Sequence, residues 1–394
     1  MKLDKVVLST GSSIFLNMVR LVACEAVVFG HFLTKYQPVP YDPLFIFGST
    51  IGGSAVLLFF ALSGLLVSYS LLHKSDDPQY GFRSFFVDRF SRIYSGLVPA
   101  LLFSGIIAAI IYTTNYTYYT NLSTMQSAPS LQTFTLTLFM LQRFPVAFFN
   151  GLLSNLGLSF PLPDVTPFGF NGILWTLVVE WWIYLFFGAL VIGALALVGK
   201  RRRSLVYRAV SCVAIVMFGL LLVGFSGEFG GVIAVWFVGA LMTLALGSSA
   251  LKEKFFHAKW ACVTLAVCLA VAAFAFCWTY ASAADYSNVY LGLSLSLCLF
   301  FAIALSSEKR FSSALAKSRI ARLANFGAGY SYTLFLTHYP IIIFLNGLNL
   351  LVDRWIMLLP ILLITNAVAC AVAFFTEKKS RQLAAAVKKL MRVP

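Results

Sequence analysis

Charged side chains are scarce in this sequence, and long hydrophilic stretches are absent. Only 11% of the 394 residues are Asp, Glu, Lys or Arg, whereas 60% are hydrophobic, and the mean hydropathy is +0.87. Soluble globular domains carry about 25% charged residues. The hydrophilic stretches between apolar runs are too short to fold independently. The composition therefore excludes a soluble globular protein and predicts an integral membrane protein.

Patterns for metal or disulfide chemistry are also missing. The seven cysteines lie in or near apolar runs, with no CxxC pair and no partnering histidine. We expect neither a metal site nor a disulfide framework. Residues 1–33 have no small-residue cleavage site and their apolar run contains Arg20, so no cleavable signal is evident.

The net charge of +15 does not indicate a nucleic-acid partner. The basic residues gather in short clusters between apolar runs, which is typical of the cytoplasmic loops of membrane proteins. We therefore expect membrane lipids as surroundings and no nucleic acid as partner.

Ten apolar runs are long enough to cross a bilayer, which requires about 20 residues. If all ten cross, the basic clusters fall on one side, which the positive-inside rule assigns to the cytoplasm. The sequence therefore predicts an all-α polytopic membrane protein of about ten transmembrane helices, with both termini cytoplasmic. The ten runs are 14–33, 47–72, 93–113, 172–198, 205–225, 230–249, 260–281, 287–307, 324–348 and 355–376.

An eleventh apolar stretch, 131–149, would break this pattern if it crossed, because it would move the basic cluster 200–203 to the outer side. We therefore predict that 114–171 is an extracytoplasmic loop, in which 131–149 is re-entrant or lies along the interface. No internal repeat or separate domain is visible, so 1–394 is predicted as one transmembrane domain that ends in a cytoplasmic tail, 377–394.

The first span contains Arg20 and His31, two ionisable residues that a simple anchor would lack. An arginine at membrane depth costs about 2.5–3.5 kcal/mol on insertion scales, so such residues usually face a cavity and serve transport or chemistry. They are eleven positions apart, about three helical turns, and share one face. Glu25 is on another face and is expected to pair with another helix.

The fourth span carries a polar stripe. Thr176, Glu180 and Tyr184 follow one another at intervals of four residues on a single helix face. A carboxylate buried there needs a cationic or hydrogen-bonding partner. Arg20 or His31 is the predicted partner of Glu180.

Two further pairs allow more than one interpretation. Ser331 and His338 share a face of the ninth span, where they either shape a cavity or form a satisfied polar pair between helices. Arg89 and Arg92 lie one turn apart at the inner end of the third span. They suit phosphate, which guanidinium groups bind bidentately, but they also fit two positive-inside anchors.

Together these residues resemble acyltransferase family 3, whose members O-acylate sugars of cell envelopes and some secondary metabolites. The motifs occur in the family's order across residues 14–340. Leu65, Ser95 and Phe335 depart from it, where the family usually has Phe, Pro and Tyr. The matching runs are Arg20 with His31, Phe59-Phe60-Ala61-Leu62-Ser63-Gly64, Arg89 to Tyr94, Trp175 with Thr176, Glu180 and Tyr184, and Ser331 to His338.

The resemblance implies transfer of an acyl group, with acetyl favoured, from cytoplasmic acyl-CoA to a hydroxyl of an extracytoplasmic carbohydrate, glycolipid or small metabolite. It implies acetyl-CoA as donor, no metal, and a place in the bacterial inner (plasma) membrane. The resemblance implies three sets of residues. The catalytic residues are His31, which would be the general base, together with Arg20 and Glu180. Donor binding would fall to Arg89, Arg92 and Ser63, and acceptor binding to Trp175, Tyr184, Ser331 and His338.

Two alternatives stay open at this point. His31 either activates the hydroxyl directly or carries the acyl group covalently across the membrane. A transporter or flippase of a sugar or lipid is the rival class, because buried charges also mark substrate pathways, although no inverted repeat is visible.

Overall fold

A computed structural model describes most of the chain, and it shows an all-α polytopic membrane protein. The described residues are 8–36, 42–77, 79–154, 157–159, 163–197, 204–247, 258–282, 289–307, 309–350 and 354–391. The basic cluster 200–203, used above for the topology, lies outside them. No β-strand occurs within these ranges.

The helices follow one another along the chain with short connections. Three short 3₁₀ segments, Phe168–Phe170, Gly172–Leu174 and Glu377–Lys379, accompany them. The α-helices are α1 Thr10–Tyr36, α2 Pro43–Lys74, α3 Phe82–Thr114, α4 Tyr116–Met125, α5 Leu131–Leu138, α6 Val146–Leu153, α7 Trp175–Leu197, α8 Leu205–Leu246, α9 Ala258–Ala281, α10 Val289–Ser306, α11 Lys309–Lys317, α12 Arg319–Ala328, α13 Ser331–Gly347, α14 Arg354–Phe375 and α15 Ser380–Met391.

Eight helical stretches in the described part of the chain are long and apolar enough to cross a membrane. The predicted fifth and sixth spans are the two parts of α8, which has 42 residues and leaves helical geometry at Phe229 (φ −119°, ψ 17°). A bend at one residue thus stands where the sequence suggested a connection between two spans. The number of crossings and the sidedness stay predictions.

The predicted ninth span, 324–348, is wrong as one continuous helix. The chain forms α12 up to Ala328 and starts α13 at Ser331, which leaves Gly329 and Tyr330 between them. Glycine is a weak helix former, and the Ser331 hydroxyl bonds back to the Ala328 carbonyl at 3.2 Å. The 17 residues of α13 span about 25 Å at 1.5 Å per residue.

The segment between α3 and α7 contains only short helices among its described residues. The apolar stretch 131–149 forms α5 and the first half of α6, separated by Phe139 to Pro145. Each of these two helices has eight residues, or about 12 Å of length. Neither is long enough to cross the hydrocarbon core by itself.

The chain forms two compact units, each assembled from separated segments. The first comprises Met1–His73, Gly231–Phe335 and Val352–Cys370, and the second comprises Lys74–Gly230, Leu336–Leu351 and Ala371–Pro394. The prediction of one domain over 1–394 stays a prediction.

Within the first unit, α2 and the end of α8 approach each other at two glycines. A Cβ on Gly64 would overlap the carbonyl oxygen of Trp236, and a Cβ on Gly239 would overlap that of Ala61. A buried hydrogen bond of 2.9 Å from the Thr243 hydroxyl to the Leu65 carbonyl crosses the same contact. Such small-residue contacts let transmembrane helices pack backbone to backbone.

Within the second unit, α3 is the central helix. It packs against α7 and against the C-terminal helix α15. The segment predicted as a tail is therefore helical from Ser380 to Met391 and lies along α3. Its cytoplasmic location stays a prediction.

The close contact between α2 and α8 predicts that a glycine-to-alanine substitution has different effects on stability at two sites of α8. Gly239→Ala forces the backbones apart, so we expect a loss of about 1–3 kcal/mol of stability. Gly227→Ala is the matched control, because nothing lies within 4 Å of its added methyl. We expect that variant to be neutral or slightly more stable. Thermal midpoints in detergent measure both, and equal midpoints would contradict the close contact.

Candidate functional site

Arg20 reaches from α1 to the first residue of α13. Its Nη2 donates to the Ser331 hydroxyl at 3.4 Å, and Ser331 is almost completely buried. One turn further along α1, the buried Cys24 thiol donates to the Ser331 carbonyl at 3.2 Å. Ser331 thus contacts α1 through both its side chain and its backbone. The sequence had linked Ser331 to His338 instead, and the bond to Arg20 was not predicted.

Glu25 pairs with another helix, as predicted from its angle to Arg20. Its carboxylate accepts a hydrogen bond of 3.2 Å from the Asn366 amide on α14. The Asn366 amide oxygen in turn accepts from the Tyr330 hydroxyl at 2.8 Å. Two successive hydrogen bonds thus connect Tyr330 to Asn366 and Asn366 to the Glu25 carboxylate.

His31 lies on α1, which is continuous from Thr10 to Tyr36. The unbroken helix confirms that Arg20 and His31 share one helix, about 16 Å apart along its axis at 1.5 Å per residue. The imidazole is half-buried, and the His31 carbonyl accepts from the Thr34 hydroxyl at 3.2 Å. Arg20 and His31 both belong to the first unit.

In the second unit, Glu180 and Tyr184 form a hydrogen-bonded pair on α7. The Tyr184 hydroxyl donates to the Glu180 carboxylate at 2.5 Å. Thr176, the third member of the predicted stripe, donates to the Ile173 carbonyl instead. The predicted pairing of Glu180 with Arg20 or His31 stays a prediction.

Arg89 joins this pair from α3. Its guanidinium carbon lies 6.0 Å from the centre of the Tyr184 ring and 5.8 Å from that of Phe85, within the range of cation–π contacts. Its Nε is buried and has no hydrogen-bond partner among the described residues. Arg89 is therefore half-buried among aromatic rings, unlike an arginine that only marks the membrane surface.

Arg92, one turn later, is more exposed. Its guanidinium lies 3.9 Å from the carboxylate of Glu377, which is 8% exposed and precedes α15. An ion pair with one exposed partner contributes about 0–1 kcal/mol. The contact orients Arg92 more than it stabilises the fold.

Asp88 is a site residue that the sequence analysis missed. Its carboxylate lies 2.5 Å from the Lys74 ammonium and 3.7 Å from that of Lys388, and it accepts from the Tyr80 hydroxyl at 3.0 Å. Burial and the neighbouring carboxylate raise the pKa of Tyr80 above its ordinary value, so Tyr80 stays a donor. The only signal in the sequence was an acidic residue beside Arg89. Lys74 and Tyr80 are in the segment just before it, but Lys388 comes from the other end of the chain.

Ser63 makes a packing contact. Its hydroxyl accepts from the Trp236 indole at 3.1 Å, beside the close glycine contact of α2 and α8. This bond explains a polar residue at this position. The predicted part of Ser63 in donor binding stays a prediction.

The start of α7 is held by a second missed residue, Asn171. This fully buried amide donates to the Ser104 hydroxyl at 3.1 Å and to the Leu336 carbonyl at 3.0 Å. The two residues before it have left-handed backbones, Gly169 with φ 71° and Phe170 with φ 56°. Left-handed geometry is costly for Phe170, so these contacts hold the turn in place.

The remaining predicted acceptor residues are found on two helices. Trp175, the first residue of α7, stacks on Phe229 with ring centres 4.8 Å apart. His338 is fully buried within α13. Among the described residues, no group of three His, Cys, Asp or Glu side chains is placed to hold a metal ion.

Comparisons with known proteins identify relatives of the chain. The acyltransferase 3 family model, described as an acyltransferase domain, matches residues 13–376. An O-acetyl transferase of Shigella phage Sf6 is 31% identical over 177 residues, which are 44% of each chain. The alignment thus spans less than half of that curated relative. No solved structure gives a significant match.

The hydrogen bond between Tyr184 and Glu180 predicts that removal of the Tyr184 hydroxyl lowers activity. Tyr184→Phe keeps the ring beside Arg89 but leaves Glu180 without this donor. A hydrogen bond to a charged group contributes about 1.5–3 kcal/mol, so we expect activity to fall roughly tenfold or more.

Tyr94→Phe on α3 is the control, because it removes a bond of 2.8 Å to the Leu138 carbonyl, which carries no charge. Activity of each variant is measured in membranes at matched expression. Equal activities of the two variants would show that the Glu180 contact has no special role.

Proposed function

Because the chain belongs to the acyltransferase 3 family, we propose that it transfers an acyl group, with acetyl favoured, from cytoplasmic acyl-CoA to a hydroxyl of an extracytoplasmic carbohydrate or glycolipid. The observation that carries this proposal is the presence of Arg20 and His31 on one continuous helix inside the matched region. Support for acetyl and for an oxygen acceptor comes from the phage relative, an O-acetyl transferase.

His31 is proposed as the general base. A neutral imidazole takes the proton of the acceptor hydroxyl while the oxygen attacks the thioester carbonyl. The new C–O bond forms, the C–S bond breaks, and the coenzyme A thiolate receives the proton from the imidazolium. A covalent relay through His31 would use the same side chain as nucleophile.

Arg20 is proposed to orient the donor or to stabilise the oxyanion that develops on the thioester carbonyl. Its hydrogen bond to Ser331 supports this role, because the buried hydroxyl restricts where the guanidinium can point. In this proposal Ser331 is a positioning residue for Arg20.

The donor's phosphates are assigned to Arg89 and Arg92. Support comes from the exposure of Arg92, from the buried Nε of Arg89, which lacks a hydrogen-bond partner among the described residues, and from guanidinium geometry, which matches phosphate oxygens. Glu180 is proposed to compensate a buried cation or to position the sugar, with Tyr184 holding its carboxylate. Ser63 remains a donor-side candidate. For the acceptor, Trp175, Tyr184 and His338 are the candidates.

The base assignment predicts that His31→Ala abolishes O-acylation while expression and folding persist. His73→Ala is the matched control, because the proposal gives His73 no role. Its ring lies 4.4 Å from that of Tyr69, tilted by 40°. Acetyl release from acetyl-CoA and mass spectrometry of envelope glycans give the readout. Acetylation retained in His31→Ala would contradict the assignment of His31 as general base. Movement of a sugar or lipid without consumption of acetyl-CoA would support a transporter instead.

The donor assignment predicts that Arg89→Ala combined with Arg92→Ala weakens acyl-CoA binding more than it lowers kcat. Since the lost contacts are electrostatic, wild-type affinity should fall with added salt more steeply than that of the double variant. Titration of acetyl-CoA at low and high salt measures both. If the double variant binds acetyl-CoA at low salt as tightly as the wild type, the two arginines are membrane anchors and not phosphate ligands.

A further inference from the structure

We propose that the C-terminal helix α15 is part of the donor site and that Lys388 supplies a third cation, beside Arg89 and Arg92, for the phosphates of acyl-CoA. The inference rests on the proposed function and adds to it a segment that the sequence presented only as a tail.

Helix α15 lies along α3 with one face turned inward. Leu383, Val387 and Lys388 are half-buried on that face, whereas Lys389 and Leu390 are exposed. The Lys388 ammonium lies 3.7 Å from the Asp88 carboxylate, and Asp88 immediately precedes Arg89. Lys388 is thus placed at the same turn of α3 as the first proposed phosphate ligand.

The charges around this turn do not balance. Asp88 has two cationic neighbours, Lys74 and Lys388, and it receives the Tyr80 hydroxyl as well. Glu377 lies 3.9 Å from Arg92. Arg89 has no carboxylate within ion-pair distance among the described residues, so these four cations and two carboxylates together carry a net charge of +2. Such a surplus attracts a multiply charged anion.

The Lys388 contact leaves its donors available. A charge-assisted hydrogen bond is about 2.7–2.9 Å long, so 3.7 Å is an ion pair without a hydrogen bond. Lys74 is the closer partner of Asp88, at 2.5 Å. The Lys388 ammonium carries three N–H donors and its side chain is 29% exposed, so it can turn to a phosphate without leaving Asp88 uncompensated.

Phosphate at this turn has two sources, the donor and an anionic lipid headgroup. Basic amphipathic helices bind anionic lipids through their exposed basic residues. Lys389 is the exposed lysine of α15, whereas Lys388 faces α3 and Asp88. The inward position of Lys388 favours the donor.

The test compares Lys388→Gln with Lys389→Gln in nanodiscs of phosphatidylcholine. The donors are acetyl-CoA and S-acetylpantetheine, a thioester without phosphates. We expect Lys388→Gln to raise KM for acetyl-CoA about fivefold, which corresponds to about 1 kcal/mol, with kcat unchanged. KM for S-acetylpantetheine should not change, Lys389→Gln should match the wild type, and Lys388→Arg should restore most of the affinity.

Three results would overturn the inference. The first is an equal KM for acetyl-CoA in the two glutamine variants. The second is an equal rise in KM for both thioesters, which would indicate a role in folding alone. The third is an effect of Lys388→Gln that appears only when the nanodiscs contain phosphatidylglycerol, which would indicate a lipid headgroup as the ligand. Affinity for coenzyme A, measured in parallel, separates this inference from the proposed function. A wild type that binds coenzyme A through Lys388 but transfers no acetyl contradicts only the function, and one that binds no coenzyme A contradicts both.

Discussion

The high cost of an unsatisfied charge in hydrocarbon determines how the polar residues of this protein are arranged. Water is not available to solvate them, so a partner from another helix, or from the next turn, has to do so. Arg20 has the Ser331 hydroxyl, Glu25 has the Asn366 amide, and Glu180 has the Tyr184 hydroxyl. Each of these three partners is a neutral polar group on a helix of the bundle.

The helical architecture was predictable, because the length of an apolar run matches the number of helical residues needed to cross the bilayer. The positions at which helices bend or end were less predictable. The sequence placed a loop in α8 where the chain bends at Phe229 alone, and it joined α12 to α13 across Gly329. Both differences arise from single residues in an apolar background, where hydropathy averaged over a window carries no information on backbone angles.

The candidate site was predictable in its residues and much less in its contacts. Arg20, His31, Glu180 and Arg89 are conspicuous because ionisable groups are rare in apolar runs. The neighbours of these residues are ordinary serines, tyrosines and lysines, so nothing in the local pattern marks them. Lys388 lies 300 positions after Asp88, and tertiary packing alone brings the two together.

The close contact of Gly64 and Gly239 changes what a motif match means. The Ser63-Gly64 pair belongs to one of the runs that link this chain to its family, yet in this structure the serine holds an indole and the glycine admits a neighbouring backbone. Evolution can retain such a pair to preserve the distance between two helices whatever the substrate. Relatives that act on different acceptors should then share it, together with a small residue at the position of Gly239, and differences in specificity should be sought elsewhere in the sequence.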